Sequence, residues 1–187
     1  MIFALSEHPD GVETKPGMRV VYDVSEEKVS LGEARIRGPA VVWDLVGDTS
    51  LVTQCHKGRP ALVTEVELES AGHWILRCDR VDFPPGSVAY RHVHPGPGIR
   101  RILLGALTID RGGCEPVTYR AGESWHEGAD DPVLATASPT EETAFVRVLL
   151  LPAEWAGKRT IRYLDPADED KPRLQRVTVL LEEPLRL

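Results

Sequence analysis

The sequence predicts an all-β protein, a sandwich or barrel of many short strands in one domain. Short alternating or β-branched runs recur along the chain, cut by Gly, Pro and Asp. Long windows of helical periodicity are scarce. The 187 residues, 42% of them apolar, fall in the size range of one domain with an ample core.

The strands follow from these runs in order. Val20 to Val24, Ala40 to Val46, Ala61 to Leu68, His73 to Arg80 and Ser87 to His94 read as strands. Ile99 to Ile109, Ser124 to Glu127, Val133 to Ala137, Ala144 to Leu151 and Arg173 to Glu182 continue the series. Pro152 to Lys158 and Pro166 to Asp170 each suit one helical turn. Residues 1–60 carry no readable motif and are expected to add edge strands to the same domain, which would cover edges that otherwise invite unwanted pairing. A core over 61–151 follows. Residues 152–187 read as a hairpin-like extension, with Lys158 to Leu164 and Leu174 to Leu181 flanking a charged turn, Asp165 to Pro172.

Charge and composition exclude several classes. A net charge of −7 without a Lys/Arg block argues against a nucleic-acid surface. No apolar run approaches the roughly 20 residues that cross a bilayer, and no basic segment precedes the short apolar start, so a cytoplasmic protein is expected. Cys55, Cys78 and Cys114 are odd in number and widely spaced, which fits reduced thiols rather than a disulfide framework or zinc ribbon. The nucleophile elbow, the phosphate-cradling Gly-Lys loop and the His-Glu-x-x-His helix are all missing.

The stretch from Gly86 to Gly105 is the most informative. His92 and His94 stand one residue apart in an extended run, so their imidazoles face the same way, close enough to share one divalent ion. The order Gly86, five residues, His92-x-His94, three residues, Gly98, six residues, Gly105 resembles the first motif of the cupin superfamily, with Gly98 where that family carries a metal-binding Glu. After 16 residues, Ala106 to Ala121, the second motif's spacing begins at Gly122. Gly128, Asp130, Val133 and Ala137 there stand for its Pro, Gly, His and Asn. The resemblance spans roughly Val63 to Leu151 and implies a cupin-type double-stranded β-helix, or jelly-roll, barrel of the RmlC-like kind, a cavity between its two sheets, and a homodimer. It also implies that two of four metal ligands are replaced.

Strand parity nominates the site residues. Ser124 and His126 share one face and Trp125 and Glu127 the other, so either His126 or Glu127 looks into the barrel as a third ligand beside His92 and His94. Such a set suits Fe, Mn, Ni, Cu or Zn. Arg100, two residues beyond Gly98, shares its face and points toward the cavity, and Arg101 lies beside it. A buried guanidinium demands a carboxylate or an anionic ligand. Tyr90, alternating with the two histidines, and Trp125 are expected to offer rings to a planar ligand. Two function classes follow: a protein that binds a small anionic metabolite in the barrel, or a metal-dependent dioxygenase, isomerase or lyase acting on a small carboxylated or aromatic substrate.

Overall fold

The computed structural model describes residues 1–47, 58–69 and 72–185. Cys55 lies outside the described residues; Cys78 is a buried free thiol and Cys114 an exposed one. No helix among the described residues is long and apolar enough to cross a membrane.

Among the described residues the strands form three five-stranded sheets and one of two strands. The first, from the N-terminal part, contains β1 (Ile2–His8), β3 (Arg19–Asp23), β4 (Lys28–Leu31), β6 (Ala40–Val46) and β7 (Arg59–Glu65) in the order β4-β3-β6-β1-β7. Beside it β2 (Val12–Thr14) pairs with β5 (Ala34–Ile36). The next eight strands are β8 (Trp74–Phe83), β9 (Val88–Val93), β10 (Gly98–Leu104), β11 (Ala106–Asp110), β12 (Val117–Arg120), β13 (Ser124–Glu127), β14 (Val133–Ala137) and β15 (Thr143–Pro152). They build two facing sheets, β13-β10-β15-β8 and β12-β11-β14-β9, between which the antiparallel chain passes back and forth. That strand order is a jelly roll, the double-sheet architecture that cupins share with other proteins.

The barrel sheet containing β15 is covered on both faces, and β15 shows why its sequence is nearly all apolar. Its even residues Val146, Val148 and Leu150 pack with Phe3, Trp43 and Leu76 in a core between this sheet and the N-terminal one. The odd residue Phe145 packs inside the barrel with Val81, Leu107 and Trp125. A strand buried on both sides loses the polar alternation that marks a half-exposed strand. Trp43 ties the two layers together, donating its indole N–H to the Ile99 carbonyl at 3.2 Å.

Several expectations need correction. The N-terminal strands do not extend the barrel's edges; they stack face to face on it, and the strand expected over 61–68 runs over β7 and pairs with β1. The run from Ile99 to Ile109 is two strands, because the chain crosses between the barrel sheets at Gly105. There φ is +72° and a Cβ would lie 2.3 Å from the Glu142 carbonyl oxygen, so only glycine fits. The C-terminal segment is no hairpin either. Its β16 (Arg162–Tyr163) joins β9, whereas β17 (Arg176–Leu185) joins β8 in the opposite sheet. Leu181 and Leu185 belong to the core beneath the N-terminal layer, which draws β17 to that edge. The two helical turns form as short 3-10 segments, Ala153–Trp155 and Pro166–Asp168.

Trp43 is 1% exposed at the junction of the layers. Trp43→Ala is expected to cost about 3–5 kcal/mol. Urea unfolding monitored by circular dichroism measures it, and a loss under about 1 kcal/mol would mean that the layers are not held by this contact.

Candidate functional site at the barrel mouth

The inward faces of β13, β10, β15 and β8 carry a row of polar side chains across an otherwise apolar barrel. Strand register aligns Trp125, Arg100, Arg147 and Asp79 across the four strands, with Glu127, Gly98, Leu149 and Arg77 in the neighbouring row. Opposites therefore fall beside each other. Arg100 Nη2 lies 2.5 Å from Glu127 Oε2, both side chains being almost fully buried, as an ion pair without hydrogen-bond alignment. Arg100 Nη1 donates to the Gly98 carbonyl at 2.6 Å. Glu127 Oε1 accepts the Trp125 indole N–H at 2.7 Å, so both carboxylate oxygens are engaged. Asp79, 0% exposed, divides its oxygens between Arg77 Nε at 2.9 Å and Arg147 Nη2 at 2.9 Å.

From the opposite sheet come His92 and His94, both buried, with ring centroids 4.9 Å apart. His92 Nδ1 sits 2.6 Å from the Tyr90 carbonyl and His94 Nδ1 3.0 Å from the Thr160 carbonyl. A carbonyl only accepts, so each ring is assigned its proton on Nδ1 and a lone pair on Nε2. Arg147 Nη1 reaches the His94 Nε2 at 3.4 Å. Burial, then the guanidiniums of Arg147 and Arg100, hold His94 well below the usual imidazole range, and burial lowers His92 as well. Neutral His94 therefore forms no salt bridge with Glu127, 3.9 Å away. Burial pushes the Glu127 carboxyl up, but Arg100, the indole donor and further positive partners outweigh it and hold the group below its ordinary value. Burial brings Arg100 down to about 10, still a cation at neutral pH.

The structure brings Arg100, Trp125, Glu127, His92 and His94 to one interior void, and leaves out three of the residues nominated from sequence. His126 stands opposite Ile99 on the outer face of β13, so of the two alternatives Glu127 looks inward. Arg101 is on the outer face of β10 and pairs with Glu7 and the Gly122 carbonyl. Tyr90 is turned away because β9 carries a bulge: Val133 pairs with His92 but Ala135 with Ala89, so one extra residue intervenes on β9 and parity is broken. Its ring lies under the Lys171 ammonium instead, 4.6 Å from the centroid.

Parity reasoning missed Arg77, Asp79 and Arg147. A signal existed: Arg147 is the one charge inside the apolar run from Ala144 to Leu151, and Arg77 and Asp79 alternate on one face of the run from His73 to Arg80. It also missed the cleft outside. The interior void measures only about 30 Å³, room for a water or two. A cleft of about 250 Å³ adjoins it, sharing Arg147, Ile161, Gln175 and Val177 as walls.

The residues present do not fit a divalent metal. Two imidazoles converge, but the Glu127 oxygens are taken, the Gly98 position is closed, and two guanidiniums stand among the donors. A Cβ on Gly98 would meet Leu149 Cδ2 at 2.4 Å and the Val148 carbonyl oxygen at 2.9 Å, so a ligand side chain there would have to displace backbone. No group of three or more His, Cys, Asp or Glu able to hold a metal occurs among the described residues. Cationic surroundings with neutral imidazole acceptors and donors in excess suit an anion or a polar neutral group.

No protein-family model matches the sequence, and no curated protein matches it. Similar solved structures include a polyketide cyclase from Streptomyces resistomycificus, 14% identical, with a TM-score of 0.40 over 52% of this chain and 64% of that one. The chain thus spans less than two thirds of the cyclase's length. An RmlC-like cupin from Shewanella frigidimarina is 19% identical over 49% of this chain and 86% of that one, with a TM-score of 0.38. Oxalate oxidase in complex with glycolate is 18% identical over 86% and 87%, with a TM-score of 0.37.

The lowered imidazoles bind fewer protons folded than unfolded, so their neutral burial stabilises the fold above an unfolded pKa of about 6.5, and that contribution is lost as pH falls below it. The lowered Glu127 acts in the same direction, but only as pH falls below its unfolded value of about 4.5. The melting temperature is expected to fall from about pH 6.5 downward. His94→Gln should flatten the part above pH 5 and leave the steeper acid limb; a flat wild-type profile between about pH 7 and 5 would show that the histidines are not buried neutral.

Proposed function

We propose that the protein binds a small organic anion at the mouth of its barrel. One observation carries the reading: Arg147, buried to 4% exposure, stands in the wall shared by the interior void and the outer cleft, flanked by Arg77 and by the neutral His94. Asp79 and Thr160 hold it in place through Nε and Nη2, while among the described residues Nη1 makes only its long contact to His94. A guanidinium fixed on one side by protein and open on the other is preorganised to receive a carboxylate or phosphate oxygen. The interior void itself takes water or one end of the ligand, and the larger cleft its body.

In a buffer of matched ionic strength, malonate at millimolar concentration is expected to raise the melting temperature by a few degrees over chloride. Arg147→Lys keeps the charge but loses the planar fork, and should remove half or more of that shift. Equal melting temperatures in malonate and chloride would overturn the reading.

A second reading, a metal-dependent enzyme, has one observation in its favour: both imidazoles are anchored through Nδ1–H to carbonyls, as metal-bound histidines commonly are. Incubation with Fe, Mn, Ni, Cu or Zn, desalting and elemental analysis separate the two. We expect well under one equivalent of each; one equivalent, lost in His92→Ala, would replace the anion reading.

A further inference from the structure

The outer cleft has a composition of its own. Its floor is Arg77 and Arg147, both at least nine-tenths buried, and its rim carries Lys158, Arg159 and Arg173. No carboxylate lines it among the described residues. The carboxylates that meet these cations stand behind them: Asp79 and Glu182 on Arg77, Asp79 on Arg147, and Glu169 on both Arg159 and Arg173. Lys158 has no charged partner among the described residues. Five cations thus meet three carboxylates, and two positive charges are left to face the cleft.

The remaining wall is apolar. Val177 and Val179 on β17 are 42% and 47% exposed, unusually open for large aliphatic side chains, and both line this cleft with Ile161. The Tyr163 ring also lines it, under the guanidiniums of Arg159 at 5.2 Å and Arg173 at 5.5 Å. Where cleft and void meet, Gln175 Oε1 is buried without a hydrogen-bond partner among the described residues. An amide oxygen only accepts, so an anion completes the bonding here with the amide turned over and its Nε2–H donating.

Resting on the reading above that this mouth binds an anion, we propose that the cleft selects a small dianion with an apolar body. Its charged groups meet the floor arginines and the Lys158 rim, and its aromatic or aliphatic part lies on Val177 and Val179. A monoanion leaves one cation unmatched, and a bare inorganic dianion leaves the valine wall wet. The dianion is supplied either by a dicarboxylate or by a phosphate monoester.

Isothermal titration of the full chain tests this with phthalate, phenyl phosphate, benzoate and malonate at about pH 8, above the second phosphate pKa of roughly 6. Phthalate or phenyl phosphate is expected to bind at least tenfold more tightly than both benzoate and malonate, and the tighter of the two identifies the source of the dianion. Lys158→Glu and Val179→Asp, both at exposed positions, should each weaken that probe tenfold or more while the melting temperature stays at the wild-type value. Benzoate binding as tightly as the dianions, or dianion binding that neither variant weakens, overturns the proposal. If binding then still depends on Arg147, anion binding at the barrel mouth stands and only the cleft assignment falls. If none of the four probes binds, both fall.

Discussion

The Asp79 carboxylate is the interaction on which the site depends. It is fully buried and holds Arg77 on one oxygen and Arg147 on the other. A lone carboxylate or guanidinium at this depth would cost several kcal/mol to desolvate, and removing one partner of such a set commonly costs about 3–5 kcal/mol because the others are left uncompensated. The three groups come from neighbouring strands whose register places Asp79 directly opposite Arg147. Cross-strand pairing therefore sets the position of the charge, and donation from Arg147 Nη2 to the Thr160 hydroxyl helps fix its orientation. Everything at the barrel mouth follows from a cation that cannot turn away.

The same economy of space explains why a cupin-like histidine pair here sits among arginines. Gly98 lies so close to the Val148 carbonyl and to Leu149 that a side chain there would displace backbone, and the Arg100 guanidinium folds back on the Gly98 carbonyl. Glu127, arriving from β13, takes the place of a counter-ion to Arg100 rather than of a free ligand. These features are linked: the glycine makes room for the guanidinium, the guanidinium keeps the carboxylate ionised, and burial with the guanidiniums of Arg147 and Arg100 keeps His94 uncharged. A divalent cation added to this set would compete with the Arg100 guanidinium for the Glu127 carboxylate and meet the Arg147 cation beside it.

Much of the barrel was legible because its strands are short and bounded by turn residues, and Ser124 to Glu127 and Val133 to Ala137 match β13 and β14 residue for residue. Alternation put Arg100 on the face of the histidines, and the structure has it at the same void, whereas Arg101, nominated beside it, lies on the other face against Glu7. Alternation failed at Tyr90, where a bulge shifts parity by one, since nothing in a string of side chains states that a strand holds an extra residue. It also failed for residues 1–60. An amphipathic strand reads the same whether it extends a sheet or covers one, and the choice is made by the outer face of β15, whose burial on both sides needs a second layer. The cleft was illegible for a related reason: Arg77, Lys158 and Arg173 are separated widely in sequence and converge only because β16 and β17 part to opposite sheets.

That parting also accounts for the open valines. An edge strand with exposed aliphatic side chains invites pairing with another chain, and β17 is such a strand. Its backbone carries the usual deterrents: a register shift between Val179 and Leu181, the adjacent charges Glu182 and Glu183, and Pro184 without an N–H to offer. Strand addition is thereby discouraged while the faces of Val177 and Val179 stay uncovered. Those faces line the cleft together with the floor arginines, and Val177 also walls the interior void beside Gln175. An apolar strip kept open against a cationic floor wastes both surfaces in water, and a ligand carrying charge at one end and hydrocarbon at the other satisfies them together.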